Sequence, residues 1–195
     1  ELIFSLYTRK RGVSNKLSAG TFDLSPSMST PELVKMLTGK PSESWVTLIE
    51  GWRVEEMADK LHKELGISEK EFLRAAKEGY MFPDTYLFAH DTTSQQVASR
   101  LKDTFEEKFS DDLKTKIKTL GLTVDEGVIL ASIVEREART DRARTEVASI
   151  LLKRFKIDMG LNADATLQYI LGYQQQEKSW WKRHLSKEDK KIDSP

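Results

Sequence analysis

Two carboxylates close to the end of one apolar stretch are the residues best placed to do chemistry: Glu135 and Glu137 in Gly127-Val-Ile-Leu-Ala-Ser-Ile-Val-Glu-Arg-Glu-Ala138. The run from Val128 to Val134 is apolar or small throughout, which predicts a helix covered nearly all round. Thr123-Val-Asp-Glu126 ahead of it is a capping box, the pattern that starts a helix. At about 3.6 residues per turn, Glu135 shares a face with Val128, Ala131, Ser132 and Ala138, while Glu137 lies with Leu130 and Ile133. Small neighbours leave room for a ligand beside a carboxyl group, and apolar walls favour the uncharged form that a general acid needs. The plainer reading is that both glutamates mark where the helix surfaces, because glutamate is rarely fully buried.

The composition narrows what such a site could serve. The chain has 195 residues, enough for one moderate domain or two small ones with a real core. Lys+Arg and Asp+Glu are both 31, so no net field draws in nucleic acid or an anionic membrane. A mean hydropathy of -0.51 excludes a membrane-embedded body. Cysteine is absent, which removes disulfides, thiolate metal sites and a cysteine nucleophile. His62, His90 and His184 are scattered without ligand spacing, so no metal site is expected. The chain opens on Glu1 rather than methionine, and a fragment of a longer protein is the expectation.

Several elements must position the acids. Glu1 to Tyr7 is rich in strand formers and reads as a strand, and Thr21 to Leu24 as a second, short one. Thr30 then caps a helix with Pro31 in its first turn, carrying Leu33, Met36 and Leu37 as far as Gly39. Leu24–Leu37 set against Leu48–Leu61 reads as one strand-turn-helix unit used twice. The second copy runs from a strand near Trp45 into a helix stopped at Gly66, and Ser68-Glu-Lys-Glu71 opens a further helix. Glu78-Gly-Tyr-Met-Phe-Pro-Asp-Thr-Tyr-Leu-Phe88 reads as an aromatic loop that either stacks on sugar or plugs a junction. From Ser94 the chain is mostly helical, with an amphipathic stripe at Val97, Leu101, Phe105 and Phe109 and a further helix over residues 146–155. Asn162, Asp164 and Thr166 alternate, and would face one way in an extended segment. Trp180 and Trp181 either grip sugar or tether a surface loop.

Leu48-Ile-Glu-Gly-Trp52, Glu78 to Tyr86, Ala131-Ser-Ile-Val-Glu-Arg-Glu137 and Met159-Gly-Leu-Asn-Ala-Asp-Ala-Thr166 together resemble the YceG-like (MltG) endolytic murein transglycosylases, in matching order and spacing. The resemblance implies an α+β protein: a small LysM-like β/α subdomain, best matched at 44–78 within an N-terminal region 1–78, then a largely helical catalytic domain over 79–195. By it, that domain lacks a C-terminal part beyond Ser194-Pro195. It also implies a lyase without cofactor or metal that cuts nascent peptidoglycan internally and leaves 1,6-anhydroMurNAc ends. Glu135 matches the family's catalytic glutamate, with Glu137 as second choice. Glu78, Asp84, Thr85, Tyr86, Asn162, Asp164 and Thr166 match positions expected to hold the glycan, Asn162 standing where the family commonly carries glutamine. The implied setting is the outer face of the plasma membrane, through an N-terminal anchor upstream of this chain, with glycan strands as substrate, cell-wall synthases as partners and no nucleic acid. A peptidoglycan-binding module that does not cut is the rival reading. A pyridoxal-phosphate lyase finds no recognisable cofactor lysine with a phosphate cradle in the sequence.

Overall fold

The structure, a computed structural model, describes residues 2–39 and 42–192. The expectations at Glu1 and beyond Ile192 lie outside them. The chain divides into two compact units, Glu1–Phe105 and Glu106–Pro195. It is an α+β protein, mostly helical, with one two-stranded sheet among the described residues.

The first unit opens with a helix, α1 (Leu2–Arg11), where a strand is expected. Phe4, Tyr7 and Thr8 are its more buried positions, at the three- and four-residue spacing of a helix face, and α1 packs on α2 (Thr30–Leu37). Strand-forming composition therefore yields to tertiary contact. Residues 22–25 form no strand either; Thr21 alone bridges to Glu43, exchanging hydrogen bonds with Ser42 and Glu43. The first copy of the repeat thus keeps its helix and loses its strand. Ser29 rather than Thr30 caps α2, its N–H reaching Glu32 Oε2 at 2.8 Å.

The second copy is complete. Strand β1 (Glu43–Thr47) leads into α3 (Val54–Leu65), which Gly66 ends in the left-handed conformation at φ 73°. Helix α4 (Glu69–Ala75) follows, with the Ser68 hydroxyl accepting from the Glu71 N–H. Then β2 (Thr85–Ala89) returns antiparallel to β1, from Glu43 opposite Ala89 to Thr47 opposite Thr85. The aromatic segment is therefore partly strand. Tyr86 and Phe88 are buried while Thr85, Leu87 and Ala89 are exposed, the alternation of a one-sided sheet. Because β2 closes on β1, the first unit continues beyond residue 78 and takes in most of α5 (Ser94–Lys108). Phe72, Leu61, Leu101, Val46 and Val97 are the largest of its fully buried side chains among the described residues, each worth about 1.5–3 kcal/mol of burial.

The second unit is helical: α6 (Asp111–Thr119), α7 (Val124–Glu137), α8 (Asp141–Lys156) and α9 (Asp164–Leu171). Its core joins Ile133 and Val134 of α7 to Leu151 of α8 and to Ala163. A Cβ at Gly127 would lie 2.7 Å from Ile117 Cδ1, so the missing side chain is what lets α6 approach α7 so closely.

Candidate active site

Helix α7 begins where the capping box places it. Thr123 and Glu126 bond reciprocally, and the Thr123 backbone and hydroxyl hold the Glu126 carboxyl below the usual carboxylate range. The helix is not covered all round: Ile133 and Val134 are buried, but Ile129 is 59% exposed and Ala131 and Ser132 face solvent. One stripe suffices to hold it on α8 and α9, so the rest stays open.

On that open side stands Glu135, its side chain 38% exposed. The expected apolar walls are replaced by a cation. Arg144 Nη2, from the first turns of α8, donates to Glu135 Oε1 at 2.9 Å. The same guanidinium donates through Nε to the Ala138 carbonyl at 3.3 Å, at the end of α7. Oε2 of Glu135 accepts no hydrogen bond among the described residues. Ser132 turns its hydroxyl back onto the Ile129 carbonyl, so the space beside Glu135 is bordered by small groups.

Glu137 is used differently. Its Oε1 accepts the Ala165 N–H at 3.0 Å, in the first turn of α9. The N-cap of α9 is Ala163, which has no side-chain acceptor, so Glu137 serves as that cap from a neighbouring helix. It also borders a shallow recess of about 130 Å³ with Arg154, Leu161 and Asn162. Arg154 closes one side by donating to the Leu161 carbonyl at 2.7 Å.

The Asn162–Thr166 segment is not extended. Asn162 takes a left-handed conformation at φ 49°, and Asp164 opens α9, so Thr166 is helical. The alternation fails because a helix start, with an acid in its first turn, satisfies Asp164-Ala-Thr better than a strand without a neighbour. Asn162 and Asp164 are exposed, and Lys190 lies 3.9 Å from Asp164. Thr166 spends its hydroxyl on the Ala163 carbonyl at 2.8 Å.

Glu78, Asp84, Thr85 and Tyr86 belong to the first unit. Glu78 Oε2 accepts the Val54 N–H at the start of α3. Asp84 is exposed, accepts from Thr85 N–H at 2.7 Å, and gives its carbonyl to Leu48 N–H. Thr85 faces Thr47 across the sheet, hydroxyl to hydroxyl at 2.9 Å. Tyr86 is 6% exposed, and its hydroxyl donates to the Phe82 carbonyl at 2.7 Å. Burial raises that phenol above its usual value, with Thr104 and Arg100 opposing and Asp84 adding. Its ring is core, as are those of Tyr80 and Phe88, so the aromatic segment fills the unit more than it presents rings to solvent.

The tryptophan pair is tethered. Trp181 lies under the Arg136 guanidinium at 3.6 Å, Trp180 meets Tyr173 edge-on, and Gln168 exchanges two hydrogen bonds with Lys182. Arg144 is the residue that sequence reasoning missed. The expected helix began at 146, yet Thr140 caps it by accepting from the Ala143 N–H, a signal legible in Thr140-Asp141. No three His, Asp or Glu side chains among the described residues gather as a metal site would require.

A unit built on a βααβ core followed by a helical unit that carries Glu135 defines a class of two-part α+β proteins. The whole chain, residues 1–195, matches the YceG-like family and belongs to it. The crystal structure of a YceG-like protein from Listeria monocytogenes has the same fold, with a TM-score of 0.73 at 24% identity, over 99% of this chain and 71% of that one. Relatives named endolytic murein transglycosylase include one from Streptococcus pneumoniae and one from Bacillus subtilis. That of Streptococcus pneumoniae serotype 2 (strain D39) is 27% identical over 88% of this chain and 38% of its own length. That of Bacillus subtilis (strain 168) is 25% identical over 100% of this chain and 61% of its own length. The chain thus spans from 38% to 61% of the length of these relatives.

Proposed function

We propose that the protein carrying this chain is an endolytic lytic transglycosylase that cleaves MurNAc-GlcNAc bonds of nascent peptidoglycan, with Glu135 as its catalytic residue. The observation that carries the assignment is the contrast between the two acids. Glu137 spends its Oε1 on the backbone N–H that starts α9, whereas Glu135 is held only by the Arg144 side chain and stands beside small side chains; each keeps its Oε2 without a hydrogen bond among the described residues. Membership of the family supports the substrate class.

The chemistry needs one carboxyl group. Protonated Glu135 gives its proton to the bridging oxygen as the MurNAc C1–O bond breaks and its electron pair leaves with the GlcNAc. The oxocarbenium-like C1 is attacked by the same sugar's C6 hydroxyl, and the Glu135 carboxylate takes up the hydroxyl proton. A 1,6-anhydro ring closes, no water is consumed, and the acid is restored. Ordinary glycosidases need a second carboxylate as nucleophile or to activate water; here the substrate supplies the nucleophile. On the second unit, exposed Asn162 and Asp164 contact glycan, with Thr166 shaping their segment from within; on the first, exposed Asp84 and Thr85 are the glycan-contacting positions, with Glu78 and Tyr86 shaping theirs. The setting is the cell-wall face of the membrane, beside the synthases that make the strands, with the anchor in a part of the longer protein outside this chain. No helix among the described residues is long and apolar enough to cross a membrane.

The test is Glu135→Gln in the full-length protein, with anhydro ends counted by mass spectrometry after incubation with uncrosslinked glycan. Loss of a general acid/base lowers turnover by about 10²–10⁴-fold. Anhydro ends at the unsubstituted rate would remove Glu135 from the mechanism. Glycan retention by the unsubstituted protein with no anhydro ends would leave a binding module instead.

A further inference from the structure

Arg144 lies between the motifs at residues 131–137 and 159–166 and belongs to neither. Arg144 holds Glu135 Oε1 at 2.9 Å with Nη2 and the Ala138 carbonyl at 3.3 Å with Nε. Its Nη1 lies 4.0 Å from Asp141, one turn earlier on α8. Two acceptors at the end of α7 and one carboxylate at the start of α8 therefore surround one planar group. The pair with Glu135 is about one-third exposed on both sides, a setting in which ion pairs contribute only about 0–1 kcal/mol to stability. So small a gain does not explain why a guanidinium is fixed independently by the backbone at the end of α7. Orientation does. The Nε and Nη2 donors lie along one edge of the guanidinium; with Nε locked to Ala138, Nη2 can meet only one carboxylate oxygen in one direction.

Resting on the proposed reaction, we infer that Arg144 is the positioning residue that fixes the Glu135 rotamer and makes Oε2 the oxygen that gives and takes the proton. Arginine is required because lysine offers a single rotatable ammonium that cannot span both the carbonyl and the carboxylate. The residue acts through Glu135 and needs no contact with the sugar.

Two measurements on Arg144→Lys and Arg144→Met test this. In the full-length protein, turnover on soluble uncrosslinked glycan falls about 100-fold in both variants, the scale of an ångström-sized misplacement, while KM stays within about threefold. Wild-type turnover in Arg144→Lys, or a loss confined to KM, overturns the inference. In the 195-residue chain, three-bond NMR couplings of the Glu135 side chain report a single rotamer in the unsubstituted protein and averaging in both variants. Averaged couplings in the unsubstituted chain, or a single rotamer retained in Arg144→Met, also overturn it. Should the full-length protein form no anhydro ends at all, the proposed reaction falls, and the couplings still decide whether Arg144 positions Glu135.

Discussion

Replacing Glu137 by alanine separates the two acids by their effect on stability. The side chain gives α9 an acceptor that its own N-cap, Ala163, cannot supply, through a 3.0 Å bond from the Ala165 N–H. Loss of a cap costs about 0.5–2 kcal/mol, and loss of a negative charge beside a helix N-terminus about 0.3–1 kcal/mol. Glu137→Ala loses both, about 1–2 kcal/mol in all, because Asp164 still provides an acid in the first turn. Glu137→Gln keeps an acceptor and loses only the charge, so it costs about 0.5 kcal/mol. Thermal unfolding followed by circular dichroism converts each kcal/mol into about 4–8 °C if the second unit melts alone, and about 2–4 °C if the chain melts as one. Glycan cleavage in the full-length protein is measured in parallel, where Glu137→Gln keeps most of the turnover that Glu135→Gln loses. Equal melting temperatures for Glu137→Ala and the unsubstituted chain would refute the capping role. Loss of cleavage in Glu137→Gln on the scale of Glu135→Gln would move the acid to Glu137.

Two further outcomes are expected. Gly127→Ala forces Ile117 away from a Cβ only 2.7–3.1 Å from its atoms; overpacking of about 1–3 kcal/mol exceeds the gain of about 1 kcal/mol from alanine in a helix, so the melting temperature falls. A rise instead would show that Ile117 repacks freely. Asp189 is held down to about 2, from an ordinary 3.8, first by the Lys182 ammonium and then by the Ser186 N–H and hydroxyl. Since its folded value is the lower one, the stabilisation it gives the 182–191 turn is complete above the unfolded value and is lost as pH falls from about 4 through about 2. Tryptophan fluorescence of the neighbouring Trp180 and Trp181 should report that acid transition, and Asp189→Asn should abolish it; an unchanged transition in Asp189→Asn would assign it to another group.

Much of the framework was legible in the residues. The Thr123-Glu126 box starts α7, left-handed Gly66 ends α3, and the stripe of Val97, Leu101, Phe105 and Phe109 is buried at its first two positions and half-buried at its last two. These features depend on hydrogen bonds and periodicities within one or two turns of chain, which any neighbourhood of the sequence displays. Phe4, Tyr7 and Thr8 carried a helical spacing that strand-forming composition masked, and the alternation from Thr85 to Ala89 was hidden by the irregular stretch before it.

What the sequence could not decide is the part each acid plays. Glu135 and Glu137 are two residues apart and chemically identical. One meets an arginine 9 residues later, and the other a backbone N–H 28 residues later. A carboxylate's role is set by the donors around it, and those donors arrive only when α8 and α9 pack against α7.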